Sequence, residues 1–268
     1  MPGVRYVAVG DMTQFMLDWE QAFEAEMIFR AKTGQQDSLP TVNFLALSGG
    51  GDDGAFGAGL LNGWTDAGNR PEFRLVTGVS TGALIAPFAF LGSKYDAQLK
   101  KFFTSTSPND ILEKRNLMAV VFDDALADNK PLWYLLEKEI NADMLREIAQ
   151  EHEKGRRLFI STTNLDTRLS VIWNMTKIAA SGHPQSLELF RKIMMASAAI
   201  PAAFPPVMID VVVGDKQYQE MHVDGGASRE VFIYPVKFKL NEFAAKANAH
   251  RERNMYIIRN SRLDPDWA

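Results

Sequence analysis

The chain has 268 residues, of which 46% are apolar and 23% charged, with a net charge of −4 and a pI near 5.7. This length allows one large core, or one core with a cap. The negative balance argues against nucleic-acid binding and against tight electrostatic docking on anionic lipid surfaces. The lack of cysteine excludes disulfides, thiol catalysis and cysteine-ligated metals.

No stretch approaches the roughly twenty apolar residues of a membrane span. The N-terminal sequence lacks the charged leader and apolar core of a signal peptide. We therefore expect a soluble protein, either cytoplasmic or processed and secreted.

The first predicted element is an amphipathic helix over residues 12–32. Its apolar stripe consists of Phe15, Met16, Trp19, Phe23 and Met27. Such a helix either faces lipid as a lid or docks on the core, and we favour docking. Residues 32–40 are polar and turn-rich. We therefore expect residues 1–40 to form an N-terminal helix and linker that precede a main domain over residues 41–268.

A glycine cluster follows the apolar strand Val42–Leu47 and opens a helix that continues to about Trp64. Glycines at a helix N-terminus leave backbone N–H groups unobstructed, where the helix dipole favours negative charge. Acyl transfer requires such donors for the oxyanion of its tetrahedral intermediate. The candidate oxyanion hole is therefore Gly49, Gly50 and Gly51.

The same cluster also matches the dinucleotide fingerprint G-x-G-x-x-G through Gly49, Gly51 and Gly54. That motif needs an acidic residue at the end of the second strand, where this chain has Thr77-Gly78-Val79-Ser80. Asp52 and Asp53 would also place negative charge beside a pyrophosphate. A P-loop is excluded because no Lys-Ser or Lys-Thr follows the cluster. We expect no cofactor.

The second motif is Gly78-Val79-Ser80-Thr81-Gly82, between the apolar run 73–76 and the helical run beginning at Ala83. A serine at a sharp turn between a strand and a helix is typical of a nucleophile elbow. The flanking glycines, Gly78 and Gly82, allow close approach of neighbouring chain. Ser80 is therefore the candidate nucleophile.

The remaining predicted elements are helices and strands that alternate along the chain. Residues 93–157 are predicted to be mainly helical, as a cap over a lipid groove or as a plain insertion. Further elements are expected as strands at 157–162 and 170–174, a helix at 186–197, a hairpin of 207–213 and 217–223, a helix from about 241, and a strand at 255–258. This order predicts a single α/β domain, a three-layer α/β/α sandwich with a mainly parallel central sheet.

Several other polar side chains fall near predicted loops. Asn164 and Asp166 follow a strand, and turn capping is favoured over a place in the site. Asp123 and Asp124 are interpreted as a solvated carboxylate pair.

A nucleophilic serine needs a base, and the chain has four histidines. His152 lies in a charged run typical of a solvated helix end, His183 precedes a proline in a turn, and His222 lies within a predicted strand. His250 fits the chain order Ser…Asp…His of α/β-hydrolases. Its neighbours nevertheless indicate an exposed helix end.

A carboxylate is the better candidate. The predicted strand 217–223 ends in Asp224-Gly225-Gly226, and catalytic groups collect at strand ends in α/β sheets. Alone, this tripeptide is a turn signal. Beside the two glycine motifs it indicates a general base at Asp224.

Taken together, the motifs resemble those of the patatin-like phospholipase family. They are Gly49-Gly50-Gly51-x-x-Gly54, Gly78-x-Ser80-x-Gly82, Asp224-Gly225-Gly226, and the Ala/Ser-rich segment from Ala196 to Pro206 that contains Pro-Phe-Pro-Pro. The resemblance implies a Ser–Asp dyad that hydrolyses lipid acyl esters, with Ser80 as nucleophile and Asp224 as base. The N–H groups of Gly49–Gly51 would form the oxyanion hole.

The resemblance further implies a lipid ester substrate with transient contact at a membrane surface. No metal is expected, and calcium is not implied because no loop offers the dense alternating carboxylates of an EF-hand. The supporting glycines would be Gly54, Gly78, Gly82, Gly225 and Gly226. One position departs from the family pattern, since Asp53 stands where a basic residue is usual. This puts a preference for phospholipid head groups in doubt, while neutral esters and lysolipids stay open.

Two alternatives remain at this point. One is an ordinary serine esterase that uses His250 with Asp210 or Asp224. The other is a non-catalytic relative that binds a lipid or a nucleotide.

Overall fold

The computed structural model describes residues 1, 3–7, 12–35, 38–104, 128–235 and 237–261. The strands are β1 (Arg5–Val7), β2 (Val42–Leu47), β3 (Phe73–Val79), β4 (Arg157–Asn164), β5 (Leu169–Asn174), β6 (Val207–Val213), β7 (Lys216–Asp224) and β8 (Arg253–Ile258). The helices are α1 (Thr13–Lys32), α2 (Gly54–Asp66), α3 (Thr81–Leu91), α4 (Asp96–Thr104), α5 (Lys130–Glu139), α6 (Ala142–Glu153), α7 (Met175–Ala179), α8 (Ser186–Ser197) and α9 (Leu240–Lys246). The predicted pair Asp123 and Asp124 lies outside the described residues.

The strands form one sheet in the order β1-β5-β4-β3-β2-β8, with the β6–β7 hairpin attached to β4. Its centre is parallel, because β4, β3, β2 and β8 all run in the same direction. The antiparallel pairs involve β1, β5 and the hairpin on one side. The predicted α/β sandwich with a parallel centre is confirmed.

The sheet separates two apolar layers, as expected for a sheet buried on both faces. On one face, alternate strand residues such as Leu45 and Ile160 pack with α2 to α8. On the other face, Phe44 and Phe159 pack with α1 and with the segment around Phe238. This alternation follows from the two-residue period of a strand.

Strand β4 changes its partner halfway along one edge, and this change places the site. Val79, the last residue of β3, pairs with Ser161. At the next residue of β4, Thr162, the neighbouring strand on this edge is β7. The last residue of β7, Asp224, pairs with Thr162. The turn after β3 and the end of β7 therefore meet at adjacent positions of one strand.

Helix α1 docks on the sheet, in agreement with the favoured interpretation. Phe15 is buried, and its ring lies 5.1 Å from that of Phe238. Met16 and Met27, however, are 44% and 39% exposed, so their predicted place on the buried stripe is wrong. The face that contacts the protein instead contains Asp18 and Glu26, both buried.

These two carboxylates pair with arginines from distant parts of the chain. Arg157 lies 3.2 Å from Asp18, and Arg251 binds Glu26 with two hydrogen bonds of 2.7 and 2.9 Å. Arg74 approaches Glu26 to 2.8 Å. Arg74 and Arg157 lie near the amino ends of parallel strands, so this basal ion cluster (Asp18, Glu26, Arg74, Arg157 and Arg251) is at the opposite end of the sheet from the β3–α3 turn.

Candidate active site

Ser80 occupies the turn between β3 and α3 in a conformation that non-glycine residues rarely adopt. Its φ is 54° and its ψ is −127°, which costs on the order of 1–3 kcal/mol of backbone strain. The carbonyl of Ser80 accepts the Ala83 N–H at 2.8 Å and so starts α3. A strained turn of this kind is typical of a nucleophile elbow.

The supporting glycines share one property, namely that each lies against atoms that a side chain would strike. A Cβ at any of these positions would come within 2.9 Å of a neighbouring atom: Gly54, Gly78, Gly82, Gly225 and Gly226. At Gly82 the obstacle is the Leu47 carbonyl oxygen at 2.4 Å, and at Gly225 it is the Ser161 carbonyl oxygen, also at 2.4 Å. The glycines therefore allow the loops around Ser80 and Asp224 to pack together.

The structure brings Ser80 and Asp224 into direct contact. The Ser80 hydroxyl donates to Asp224 Oδ2 at 2.5 Å, across 144 residues of sequence. The other carboxylate oxygen, Oδ1, accepts the Gly226 N–H at 2.6 Å. Ser80 and Asp224 are 6% and 4% exposed. The pair is thus a short hydrogen bond in a site from which most water is excluded.

Burial raises the pKa of Asp224 above the ordinary aspartate value, and the hydrogen bonds from Ser80 and Gly226 oppose this rise. No basic side chain in the described parts of the chain forms an ion pair with Asp224. A carboxylate without a counter-ion is a stronger base than one held by an arginine.

Ser197, the last residue of α8, and Ala199, just beyond it, contact both members of the pair. Ser80 donates its backbone N–H to Ser197 Oγ at 3.0 Å, and Ser197 donates its hydroxyl to the Ser161 carbonyl at 2.7 Å. Asp224 donates its N–H to the Ala199 carbonyl at 2.9 Å. Sequence reasoning assigned no role to these residues, although their Ala/Ser-rich segment formed part of the resemblance.

The glycine loop narrows the predicted set of oxyanion donors. The Gly49 N–H donates to the Glu230 carbonyl at 3.1 Å, so it is occupied, contrary to the expectation that all three N–H groups are free. The N–H groups of Gly50 and Gly51 have no acceptor among the described residues. Asp53 is exposed and caps no helix N–H with its side chain.

Asn260, beyond β8, holds this loop in place. Its N–H donates to Ser48 Oγ at 2.8 Å and its side-chain amide donates to the Ser48 carbonyl at 2.8 Å. A Cβ at Gly50 would lie 2.5 Å from the Asn260 carbonyl oxygen. No sequence motif indicated this contact, because Asn260 lies far along the chain from the loop.

Among the described contacts, no histidine bonds to the Ser80 hydroxyl. His222 is buried, but its ring nitrogens lie 2.9 Å from Thr162 Oγ1 and 3.2 Å from Glu220 Oε2. Burial lowers the pKa of His222. His250 is exposed beyond α9. Asp210 accepts from the Gln219 amide at 2.8 Å.

The other two histidines lie away from the Ser80–Asp224 pair. His152 lies in the last turn of α6, at the predicted helix end, but it is partly buried against Thr176 Oγ1 at 3.1 Å. Burial lowers its pKa to about 3. His183 Nδ1 accepts the Gln185 N–H in a turn. The Asn164 side chain accepts the Thr167 N–H at 3.0 Å and so caps the turn after β4, as predicted. Asp166 instead accepts the Met221 N–H of β7 at 2.8 Å, so its predicted turn-capping role is wrong.

A protein-family comparison matches residues 45–236 to the model described as patatin-like phospholipase. The matched region covers most of the sequence and contains Ser80, Asp224 and both glycine loops. The chain therefore belongs to the patatin-like phospholipase family.

A comparison with solved structures includes VipD from Legionella pneumophila, with a TM-score of 0.44 and 12% sequence identity. The match covers 82% of this chain and 50% of VipD, so the chain spans half of that protein's length. The comparison with curated proteins gave no match.

Two further observations concern membrane-spanning helices and metal-binding groups. In the described portion of the sequence, no helix combines the length and apolar character that crossing a bilayer requires. Over the same residues, no three histidine or acidic side chains are grouped so that they could hold a metal ion.

Proposed function

We propose that the protein hydrolyses carboxylic esters of lipids through a Ser80–Asp224 dyad. The observation that supports this most strongly is the 2.5 Å hydrogen bond from the Ser80 hydroxyl to a buried carboxylate. A general base must reach the proton that it removes, and Asp224 meets this condition. The exposed His250 makes no contact with Ser80 in the described structure.

The reaction would proceed in two halves. Asp224 takes the Ser80 proton as Oγ attacks the ester carbonyl, and the N–H groups of Gly50 and Gly51 stabilise the oxyanion. The protonated Asp224 then gives its proton to the departing alcohol or lysolipid. Asp224 then deprotonates a water that attacks the acyl-enzyme carbonyl. As the bond from the acyl carbon to Ser80 Oγ breaks and the fatty acid leaves, Asp224 returns the proton to Oγ.

The burial of the dyad addresses the weakness of aspartate as a base. In water an aspartate titrates near pH 3.9, far below the pKa of a serine hydroxyl. Desolvation raises the basicity of Asp224, and no tautomer needs fixing because a carboxylate accepts through either oxygen. A third orienting residue is therefore unnecessary.

The surface beside the glycine loop supports a lipid substrate presented at an interface. Phe56 and Leu60, one turn apart on α2, are 59% and 43% exposed, so this helix offers an apolar face for transient contact with a membrane. Asp52 and Asp53 precede it and are also exposed. Their charge favours neutral esters or lysolipids over substrates with an anionic head group.

The test is hydrolysis of a short and a long p-nitrophenyl ester by the wild type and by Ser80→Ala and Asp224→Asn. We expect a loss of at least about 10³-fold for Ser80→Ala and of about 10²–10⁴-fold for Asp224→Asn. The reason is that one variant lacks the nucleophile and the other lacks the base. Far-UV circular dichroism checks that each variant is folded.

The matched controls are Asp210→Asn and His250→Asn, which should retain full activity. Near-normal turnover by Asp224→Asn together with loss in His250→Asn would replace the dyad with a serine–histidine esterase. An inactive wild type on both esters and on phospholipid vesicles would contradict the proposal altogether.

A further inference from the structure

We propose that Ser197 is a positioning residue for the hydrolysis, and this inference rests on the proposed function. Residues 197–199 form a clamp at the end of α8 that contacts the backbones of both Ser80 and Asp224. Its role would be to fix the distance and angle between the nucleophile oxygen and the carboxylate.

The Ser197 hydroxyl has no free rotation in this arrangement. It is fully buried, it donates to the Ser161 carbonyl at 2.7 Å, and it accepts the Ser80 N–H at 3.0 Å. A hydroxyl has a single proton, and here that proton is committed to β4. Ser197 Oγ is consequently a fixed acceptor for the N–H of the elbow.

This acceptor bears directly on the strained turn. The Ser80 backbone has a positive φ of 54°, which the surrounding structure must impose. Its hydrogen bond to Ser197 holds the N–H in that orientation. Without the acceptor, the N–H would be buried and unsatisfied, and the turn would lose the contact that opposes its relaxation.

The same clamp holds the base. Ala199, two residues after Ser197, accepts the Asp224 N–H at 2.9 Å. The nucleophile and the base are therefore attached to one short segment as well as to adjacent residues of β4. A displacement of about 1 Å between reacting groups costs on the order of 10²-fold in rate, so a shift of the clamp should affect chemistry before it affects binding.

The variant Ser197→Ala removes the hydroxyl while Ser197→Thr keeps it and adds a methyl group in a closed space. We expect Ser197→Ala to lower kcat for a p-nitrophenyl ester about 30- to 300-fold with KM changed less than threefold. Ser197→Thr should retain more activity than Ser197→Ala even where its added methyl lowers the melting temperature further. A purely structural role predicts that activity follows stability.

The pH profile supplies a second readout. The Ser80 hydrogen bond lowers the pKa of Asp224, so misplacing Ser80 should move the lower midpoint of the kcat/KM profile to higher pH in Ser197→Ala. The matched control is Ser170→Ala, which removes a half-buried hydroxyl that bonds Ser161 Oγ at 3.0 Å and not the dyad. It should keep the wild-type midpoint and at least a third of the activity.

The outcomes separate this inference from the proposed function. Turnover that survives in Ser80→Ala overturns the function and this inference together. Turnover that is lost in Ser80→Ala but unchanged in folded Ser197→Ala, with an unmoved pH midpoint, overturns the inference alone. A loss in Ser197→Ala that Ser197→Thr restores supports it, and equal losses in the two variants contradict it.

Discussion

The two ends of the sheet bury carboxylates in opposite ways. At the amino ends of the strands, Asp18 and Glu26 are held by arginines, and Glu26 contacts both Arg74 and Arg251. At the carboxyl ends, Asp224 is equally buried but accepts only from a hydroxyl and a backbone N–H among its described contacts.

This difference distinguishes carboxylates that are held in a fixed ion pair from one that can exchange a proton. A carboxylate paired with arginine has its charge compensated, which stabilises its ionised form in the interior. A carboxylate buried without a cation is destabilised in its charged form and therefore attracts a proton. Burial alone does not mark a catalytic acid or base, whereas burial without a counter-ion beside a hydroxyl makes a carboxylate a candidate.

The largest effect on stability is expected at the basal ion cluster. Glu26→Gln leaves two half-buried guanidinium groups without their anion, and breaking a buried pair costs about 3–5 kcal/mol. Urea denaturation should show this loss of free energy of unfolding. Glu24→Gln, an exposed change on the same helix, should stay within about 0.5 kcal/mol. A cost below about 1 kcal/mol for Glu26→Gln would show that the two ends do not differ as described.

A smaller effect on the free energy of unfolding is expected for Asp224→Asn, and this substitution should stabilise the protein relative to the wild type as the pH rises. Because the folded pKa of Asp224 is raised, protonated Asp224 favours the folded state, and this contribution is complete below about pH 4. It is lost as the pH rises through the folded pKa. Wild-type stability should therefore fall relative to Asp224→Asn over that window, and urea denaturation at several pH values measures this. A difference in free energy of unfolding that stays constant with pH would contradict a raised pKa of Asp224 in the folded protein.

The smallest effect is expected at Asp53, which is charged but exposed. Asp53→Lys replaces a favourable charge at the α2 N-terminus and should cost about 0.3–1 kcal/mol. Turnover of an anionic phospholipid relative to a neutral short ester should rise about two- to fivefold, since a surface charge near the site is worth up to about 1 kcal/mol. Asp66→Lys, exposed at the other end of α2, should leave this ratio unchanged.

Much of the site could be predicted because its signals are local. The elbow, the glycine loop and the Asp-Gly-Gly turn each lie within a few residues of a strand end, where sequence pattern is informative. The α/β architecture followed from the alternation of elements. Ser80 and Asp224 could therefore be named before their contact was known.

The basal ion cluster could not be predicted in the same way. Charged side chains usually indicate solvent exposure, so Asp18 and Glu26 were passed over while Met16 and Met27 were placed on the buried stripe. The partners that make burial tolerable, Arg157 and Arg251 (the latter outside any regular element), are separated from these acids by 139 and 225 residues. Such pairing is visible only in three dimensions.

The contacts that hold the glycine loop could not be predicted for a related reason. The Gly49 N–H is taken by the carbonyl of Glu230, and the loop is held by Asn260. A hydrogen bond to a backbone carbonyl does not depend on the side chain at that position, so the sequence pattern does not indicate it. A single asparagine after a strand is usually explained by a turn.

The meeting of β3 and β7 on one edge of β4 also has a consequence for how the chain folds. The contact between Ser80 and Asp224 closes a loop of 144 residues, and contacts of high sequence separation form slowly because their loop entropy must be offset first. Helical signal should return early in refolding, whereas labelling of Ser80 by a serine-directed phosphonate should return late. Labelling of Ser80 would then report when the native strand topology is complete.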